Sequence, residues 1–310
     1  MITIYKSGEN GIETLEGFLP GSWVHVENPD DGEIEHLFKE LEIPRDFVKS
    51  SLDIDERPRT DNEGGITLIL IRTPVFRGKS ADIPYLTIPL GIIIADGIFV
   101  TVCKEENEII QDFVDGRVSN LSIAKINRSV LRIFLQTAKR YLRHLRDIDR
   151  EVDSLEDMLQ RSLRNEELIE LLKYQKSLVY FTTALRSNEL MMERLQRGGL
   201  FENFPDDTDL LEDVLTENQQ AIEMVGISNN ILSQMMDAFA SIISNNLNVV
   251  MKFLTSATIV LMFPTLVASF YGMNVELPLQ NSPFAFIFTL IISFGLSLIV
   301  VFVFLKKDWF

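Results

Sequence analysis

Hydrophobic and polar positions change their rhythm three times along this chain. Up to about residue 120 they come in short runs, and those at 1–5, 21–26, 67–72, 86–94 and 98–103 carry the β-branched and aromatic residues of strands. Among them, Pro29-Asp30-Asp31 opens a helix reaching Glu40, with Ile34, Leu37, Phe38 and Leu41 on one side. Residues 1–120 thus predict an α/β or α+β domain. From about 121 to 164 the pattern turns helical, and Ile126, Val130, Ile133, Thr137, Tyr141, Ile148, Val152, Leu155 and Leu159 form one stripe. Asn165-Glu166-Glu167 restarts a helix that runs to Gln196 and stops at Gly198-Gly199, so 121–200 predicts an antiparallel helical hairpin.

Residues 201–250 read as a stalk helix, with Leu211, Leu215, Ile222, Val225, Ile231, Leu232 and Met235 as its apolar side. It leads without a stop signal into the last part of the chain. Within 249–270 only Lys252 is charged, and 284–305 carries no charge at all and is opened by Asn281-Ser282-Pro283. At about 1.5 Å rise per residue, each run crosses the roughly 30 Å hydrocarbon core of a bilayer. Residues 251–310 are therefore expected to form two transmembrane helices joined by a short loop.

The first span is not uniformly apolar. Positions 248, 251, 255, 258, 262, 265 and 269 advance alternately by three and four, read Asn, Met, Thr, Thr, Met, Thr, Ser, and so share one helical face. A helix facing lipid alone gains nothing from hydroxyls and amides. The face suits either a wet pore lined by several copies or dry packing of small residues against another helix. Pro264 removes a main-chain hydrogen bond partway along, which a membrane tolerates where a neighbouring helix or water serves the freed carbonyl.

Charge narrows the partners. The balance of 45 Asp and Glu against 29 Lys and Arg disfavours nucleic acid, because phosphate needs clustered positive charge. From 198 to 251 there is no Lys, Arg or His, yet Glu202, Asp206, Asp207, Asp209, Glu212, Asp213, Glu217, Glu223 and Asp237 fall there. A segment so one-signed needs cations or basic neighbours. The loop 271–283 has no Lys or Arg, whereas Lys252 and Lys306-Lys307 flank the hairpin; the positive-inside rule then puts both termini in the cytoplasm and the loop outside. The first residues read as a strand with no signal-peptide pattern, which also keeps the bulk in the cytosol. Cys103 sits in a strand pattern and predicts a core thiol, and His25, His36 and His144 lack ligand spacing and predict packing or surface histidines. Residues 1–120 carry no phosphate loop, nucleophile–base pair or metal cluster, and no enzyme activity is expected.

Tyr271-Gly272-Met273-Asn274 stands directly after a membrane span, followed by a short loop, a second span and the tail Lys306-Lys307-Asp308-Trp309-Phe310. With Asn248-Val249-Val250-Met251-Lys252-Phe253-Leu254 and Pro264-Thr265, this arrangement resembles the CorA family of magnesium transporters. The resemblance is strong from about Glu212 onward and weak in the N-terminal domain. It implies a funnel-shaped homopentamer in the cytoplasmic membrane, each chain having an α+β cytosolic domain of α/β/α sandwich type, a helical hairpin, a long stalk helix and two transmembrane helices. The first span of every chain would line one central pore. Hydrated Mg²⁺, and Co²⁺ beside it, are the implied cargo, with Gly272, Met273 and Asn274 as the selectivity filter. Asn248, Met251, Leu254, Met262, Thr265 and Ser269 are the implied pore positions; the stripe adds Thr258, and converging stalks would place Asp237 in a ring near Asn248 at the inner mouth. Met251, Leu254 and Met262 would be apolar constrictions that close by dewetting.

Mg²⁺ gives up its six waters reluctantly, so a wall of amides and hydroxyls can grip the ion through its hydration shell. With no ATP motif, the membrane potential is the expected drive. A zinc transporter of the same superfamily is the nearest alternative, and by resemblance the zinc branch varies at the position of Met273. A membrane-anchored sensor or scaffold would have no use for the polar stripe. The resemblance further implies closure by cytosolic Mg²⁺ bridging acids of adjacent protomers. Asp213 falls at the stalk position, but Lys49-Ser50 stands before Arg57-Pro58-Arg59 where partner acids are expected, and a third acidic position falls on Lys139 or Arg140. The expectation is weaker inhibition, or a regulatory metal site using Asp213 with Asp53 or Asp55.

Overall fold

Strands β1 (Ile2–Gly8), β2 (Gly11–Leu15), β3 (Trp23–Glu27), β4 (Arg59–Glu63), β5 (Ile66–Phe76), β6 (Tyr85–Ala95) and β7 (Ile98–Cys103) form one sheet in the order β2-β1-β3-β7-β6-β5-β4. The computed structural model describes residues 1–8, 11–118, 123, 125–162, 165–201, 205–275, 277–278, 282–307 and 309. Glu202, Asn281, Asp308 and Phe310 lie outside the described residues. Neighbouring strands are antiparallel except β3 and β7, which run parallel at the centre with Trp23 opposite Phe99 and Val26 opposite Val102. A parallel pair in mid-sheet is covered on both faces, and β7 is buried at every position.

Period-two alternation sorts the side chains into two cores. Val24, Val26, Leu68, Leu70, Val100 and Val102 pack with α1 (Asp31–Leu41) and α2 (Arg45–Leu52). Trp23, Ile69, Ile71, Phe99 and Cys103 face the other way, onto α3 (Glu108–Val114), α4 (Ile126–Ser162), α5 (Asn165–Arg197) and the start of α6 (Pro205–Tyr271). This is the expected α/β/α sandwich. Helix α1 starts with a capping box, Asp30 Oδ1 accepting from Glu33 N at 2.8 Å and Glu33 Oε2 from Asp30 N at 3.1 Å. Phe38 departs from the rest of its expected apolar side: it is exposed, with the Arg45 guanidinium 3.9 Å from its ring centroid. Gly91 of β6 is required by close approach, since a Cβ there would overlap the Ser51 side chain of α2.

Strand β4 reads Arg-Thr-Asp-Asn-Glu and pairs with β5 only as far as Arg59 opposite Leu70. The remainder of β5 has a free edge, which explains how Pro74 is accommodated without a ladder hydrogen bond. Asn188 of α5 covers that edge. Its Oδ1 accepts from Arg72 N at 3.0 Å and its Nδ2 donates to Arg72 O at 2.9 Å. The Tyr141 hydroxyl donates to the same carbonyl at 3.0 Å.

The chain forms two compact units, Met1–Gln234 and Met235–Phe310, and α6 contributes to both. In the first unit α5 returns along α4: Asn127 Nδ2 donates to Leu200 O at 2.8 Å, and Tyr141 and Phe181 meet edge to face, 4.9 Å between centroids. The beginning of α6 runs alongside α4, joined by Arg128 Nε donating to Asp207 Oδ1 and Ser228 Oγ to Asp149 Oδ1, both at 2.7 Å. Arg128 also reaches Asp206 at 3.2 Å, so a basic neighbour answers the first acids of the one-signed segment. Burial and its own Ser228 contact act in opposite directions on Asp149, and burial wins, raising its carboxyl above the ordinary value. His25 and His144 are buried packing residues, their imidazoles pushed down to about 4 by desolvation, and His36 lies against Phe18. Cys103 is buried, its Sγ 3.9 Å from Val26 O. In the second unit, α6 and α7 (Ala285–Lys306) are each long and apolar enough to cross a membrane.

Candidate pore face

Helix α6 stays helical through Pro264 to Tyr271, so the three-four spacing becomes a real face. Asn248, Met251, Thr255, Thr258, Met262, Thr265 and Ser269 are all exposed on it, and Leu254 beside them is exposed too. Asp237, eleven residues or about three turns before Asn248, continues the same face and is exposed. On the opposite side Ser256 and Val267 are buried and Val260 and Phe263 half-buried. Here α7 docks: Ser297 Oγ donates to Val260 O at 3.2 Å, and Ser297 and Ser293 are the buried residues of α7. The second span therefore docks on the other side of α6 and leaves the polar stripe uncovered.

Two hydroxyls on the stripe have spent their hydrogens. Thr258 Oγ1 donates to Leu254 O at 2.8 Å, and Thr265 Oγ1 to Leu261 O at 3.2 Å. What each presents outward is an oxygen with free lone pairs. A hydrated cation shows its surroundings only water hydrogens, so an acceptor-lined face is complementary to it. Met251, Leu254 and Met262 interrupt these acceptors with apolar side chains more than half exposed.

Beyond Tyr271 the helix turns off. Gly272 N still donates to Ala268 O at 3.0 Å and Met273 N to Phe270 O at 3.2 Å, while Tyr271 Oη reaches Pro278 O at 3.4 Å from the loop. Gly272 is not in the left-handed region, so it is not there to supply a positive φ. A Cβ there would stand 3.3 Å from Ala268 O, a tight contact. Met273 and Asn274 follow, both exposed at the end of the stripe.

The regulatory candidates are not gathered within one chain. Asp213, Asp53 and Asp55 are exposed carboxylates of the first unit, and Asp53 Oδ1 accepts from Asp55 N at 3.0 Å. Among the described residues, no three His, Cys, Asp or Glu side chains come together to hold a metal. Lys49 is exposed on the last turn of α2, and Ser50 Oγ accepts from Arg59 Nη2 at 3.2 Å. Arg140 is already neutralised by Glu108 and Asp112 of α3, and Lys139 points to solvent. Sequence reasoning overlooked Ser256, Ser293 and Ser297. The available signal was two serines four residues apart in an otherwise apolar span.

A mixed-sheet soluble unit continued by a helix into a two-span hairpin with an acceptor-lined face describes a membrane transport protein. The chain belongs to the family described as CorA-like Mg²⁺ transporter protein, whose model matches residues 21–307. It is 28% identical over 297 residues to the cobalt/magnesium transport protein CorA of Methanocaldococcus jannaschii, covering 93% of this chain and 90% of that one. The complete structure of the CorA magnesium transporter from Methanocaldococcus jannaschii superposes with a TM-score of 0.86 at 25% identity, over 100% of this chain and 99% of the other. The ZntB cytoplasmic domain from Vibrio parahaemolyticus shares the fold alone, with a TM-score of 0.62 at 13% identity over 78% of this chain and 98% of that domain.

Proposed function

We infer that this chain moves hydrated Mg²⁺, with Co²⁺ as a second substrate, through a pore on the axis of a homopentamer in the cytoplasmic membrane. The observation that carries this reading is the uncovered stripe of α6, whose Thr258 and Thr265 offer acceptor oxygens while α7 occupies the opposite side. Asn274 adds an amide carbonyl at the outer mouth and Asn248 another at the inner one, where the Asp237 carboxylate joins it. Both termini lie in the cytoplasm, as the lysines at either end of the hairpin support. The potential supplies the drive: two charges crossing 100 mV gain about 4.6 kcal/mol, a gradient on the order of a thousandfold.

Regulation follows the same logic with altered parts. Asp213 of one protomer faces the α2 end of the next, where Lys49 and Ser50 stand in place of acids. Two carboxylate surfaces need a cation between them, whereas a lysine facing Asp213 makes an ordinary ion pair without one. Closure by cytosolic Mg²⁺ is accordingly weak here, or is carried by Asp53 or Asp55.

The deciding experiment is flux into proteoliposomes, with Mg²⁺, Co²⁺ and Zn²⁺ compared in the presence and absence of a potassium diffusion potential. Potential-driven entry of Mg²⁺ and Co²⁺ is expected. Entry of Zn²⁺ alone would assign the zinc branch, and no flux of any ion would leave a tethering role.

A further inference from the structure

Pro264 has no N–H, so the carbonyl four residues earlier, that of Val260, has no main-chain donor from the next turn. In hydrocarbon such a group is costly to leave unserved. The structure assigns it a donor from another helix, Ser297 Oγ of α7 at 3.2 Å. Chance proximity of two helices is a poor account of this bond, because three threonine hydroxyls of these spans turn back on their own helix. Thr258 bonds Leu254 O, Thr265 bonds Leu261 O and Thr289 bonds Ala285 O. Ser297 crosses instead, and its target is the carbonyl that the proline freed. Its surroundings are dry: Ser297 is 8% exposed, and Ser256 and Val267, on the same side of α6 as Val260, are 0% and 7% exposed.

The proline sits between Met262 and Thr265, two positions of the polar face. Here the intrahelical ladder is interrupted, and the direction of the outer turn relative to the rest of α6 is no longer fixed by main-chain bonds alone. We propose that Ser297 is a positioning residue for transport: by bonding Val260 O it holds α6 at Pro264 and sets where Thr265, Ser269 and the turn at Gly272 stand relative to Met262. The idea rests on the reading of the stripe as the ion path. It assigns to α7, which lines no path itself, a role in shaping one.

The test is a mutant cycle on the full-length protein. Ser297→Val and Ser297→Thr differ in shape only by methyl against hydroxyl, and each is made with and without Pro264→Ala, which restores a main-chain donor to Val260 O. Two quantities are measured: maximal Mg²⁺ uptake by proteoliposomes under a potassium diffusion potential, and the Tm of the assembled protein in detergent. With Pro264 present, Ser297→Val is expected to lower uptake about threefold to tenfold, the scale of one interhelical hydrogen bond in a membrane, while Ser297→Thr retains it. With Pro264→Ala, Ser297→Val is expected to change neither quantity. Equal losses in both backgrounds, or a threonine as damaging as the valine, would overturn the proposal as mere packing. Should Pro264→Ala fail to assemble, the valine–threonine comparison decides by itself. A wild type that moves no Mg²⁺ also overturns the transport role, and coupling in Tm then tells failure of the transport reading apart from absence of the bond.

Discussion

The side-chain amide of Asn188 pairs with both main-chain groups of Arg72, donating at 2.9 Å and accepting at 3.0 Å, as a further strand would. It stands where β4 has ended and β5 would otherwise offer an open edge. Asn188 is fully buried, so neither hydrogen bond can be replaced by water. Asn188→Leu is expected to destabilise the soluble unit by about 2–4 kcal/mol, since a buried N–H and C=O lose their partner together. Asn188→Asp is expected to be no better, because it removes the donor and sets a carboxylate against the Arg72 carbonyl. Thermal unfolding of the two variants checks this.

Acid is expected to weaken the soluble unit before its carboxylates titrate. His144 is enclosed by Tyr85 and Phe181, with Asp147, Arg140 and Arg143 nearby, and among the described residues neither ring nitrogen has a hydrogen-bond partner. Desolvation first, then the two arginines, push its imidazole down to about 4. The unfolded chain binds a proton near 6.5 that the folded chain refuses, so stability is whole above 6.5 and falls as pH drops toward 4. The slope approaches about 1.4 kcal/mol per pH unit for one such histidine, and buried His25 adds to it. His144→Phe should flatten this limb in a Tm-against-pH series; an unchanged limb would show that other groups cause it.

Asn274→Ala is expected to abolish Mg²⁺ uptake while the oligomer still assembles, since the turn after α6 holds the outermost amide of the face. Gly272→Ala should lower uptake as well, by pushing the new methyl against Ala268 O, 3.3 Å away. Size-exclusion profiles paired with flux measurements check both variants, and full uptake by an assembled Asn274→Ala would remove this residue from the path.

Leu254→Ser and Met262→Ser should raise leak when the pore is closed, because an apolar constriction resists wetting and a hydroxyl does not. The measurement is Mg²⁺ efflux from loaded vesicles at zero potential. Unchanged efflux in both variants would move the gate elsewhere on the stripe.

Mg²⁺ titrated from the cytoplasmic side is expected to protect the soluble unit poorly against protease, because the proposed partners of Asp213, Lys49 and Ser50, offer it no second carboxylate. Strong protection in the low-millimolar range that vanishes in Asp213→Asn would refute the weakened site. Repeating the titration with Asp53→Asn and Asp55→Asn would then find its other half.

The parts legible in the sequence are those whose stability depends on a repeated face. Three β-branched runs give β5, β6 and β7, the stripe from Ile126 to Leu159 gives α4, and the alternating steps from Asn248 to Ser269 give the polar side of α6. Elements held by one neighbour leave no such trace. Arg-Thr-Asp-Asn-Glu becomes β4 only because β5 lies beside it, and the eight residues of α2 stay helical by setting Phe47, Val48 and Ser51 onto the sheet. Pairings between distant residues, such as Asn188 with Arg72 or Ser297 with Val260, are set by packing and have no local pattern.

The chain's one cysteine has a practical consequence. Cys103 is sealed in the sheet, and burial, with Glu27 and Glu105 nearby, pushes its thiol up to about 12. At neutral pH it forms almost no thiolate and meets no reagent, so the natural chain is already a silent background for chemical labelling. A cysteine introduced at any position from Asn248 to Ser269 would be the sole reactive thiol in its protomer. Its rate of modification by a charged, water-borne reagent then reports whether that spot is wet, residue by residue along the helix.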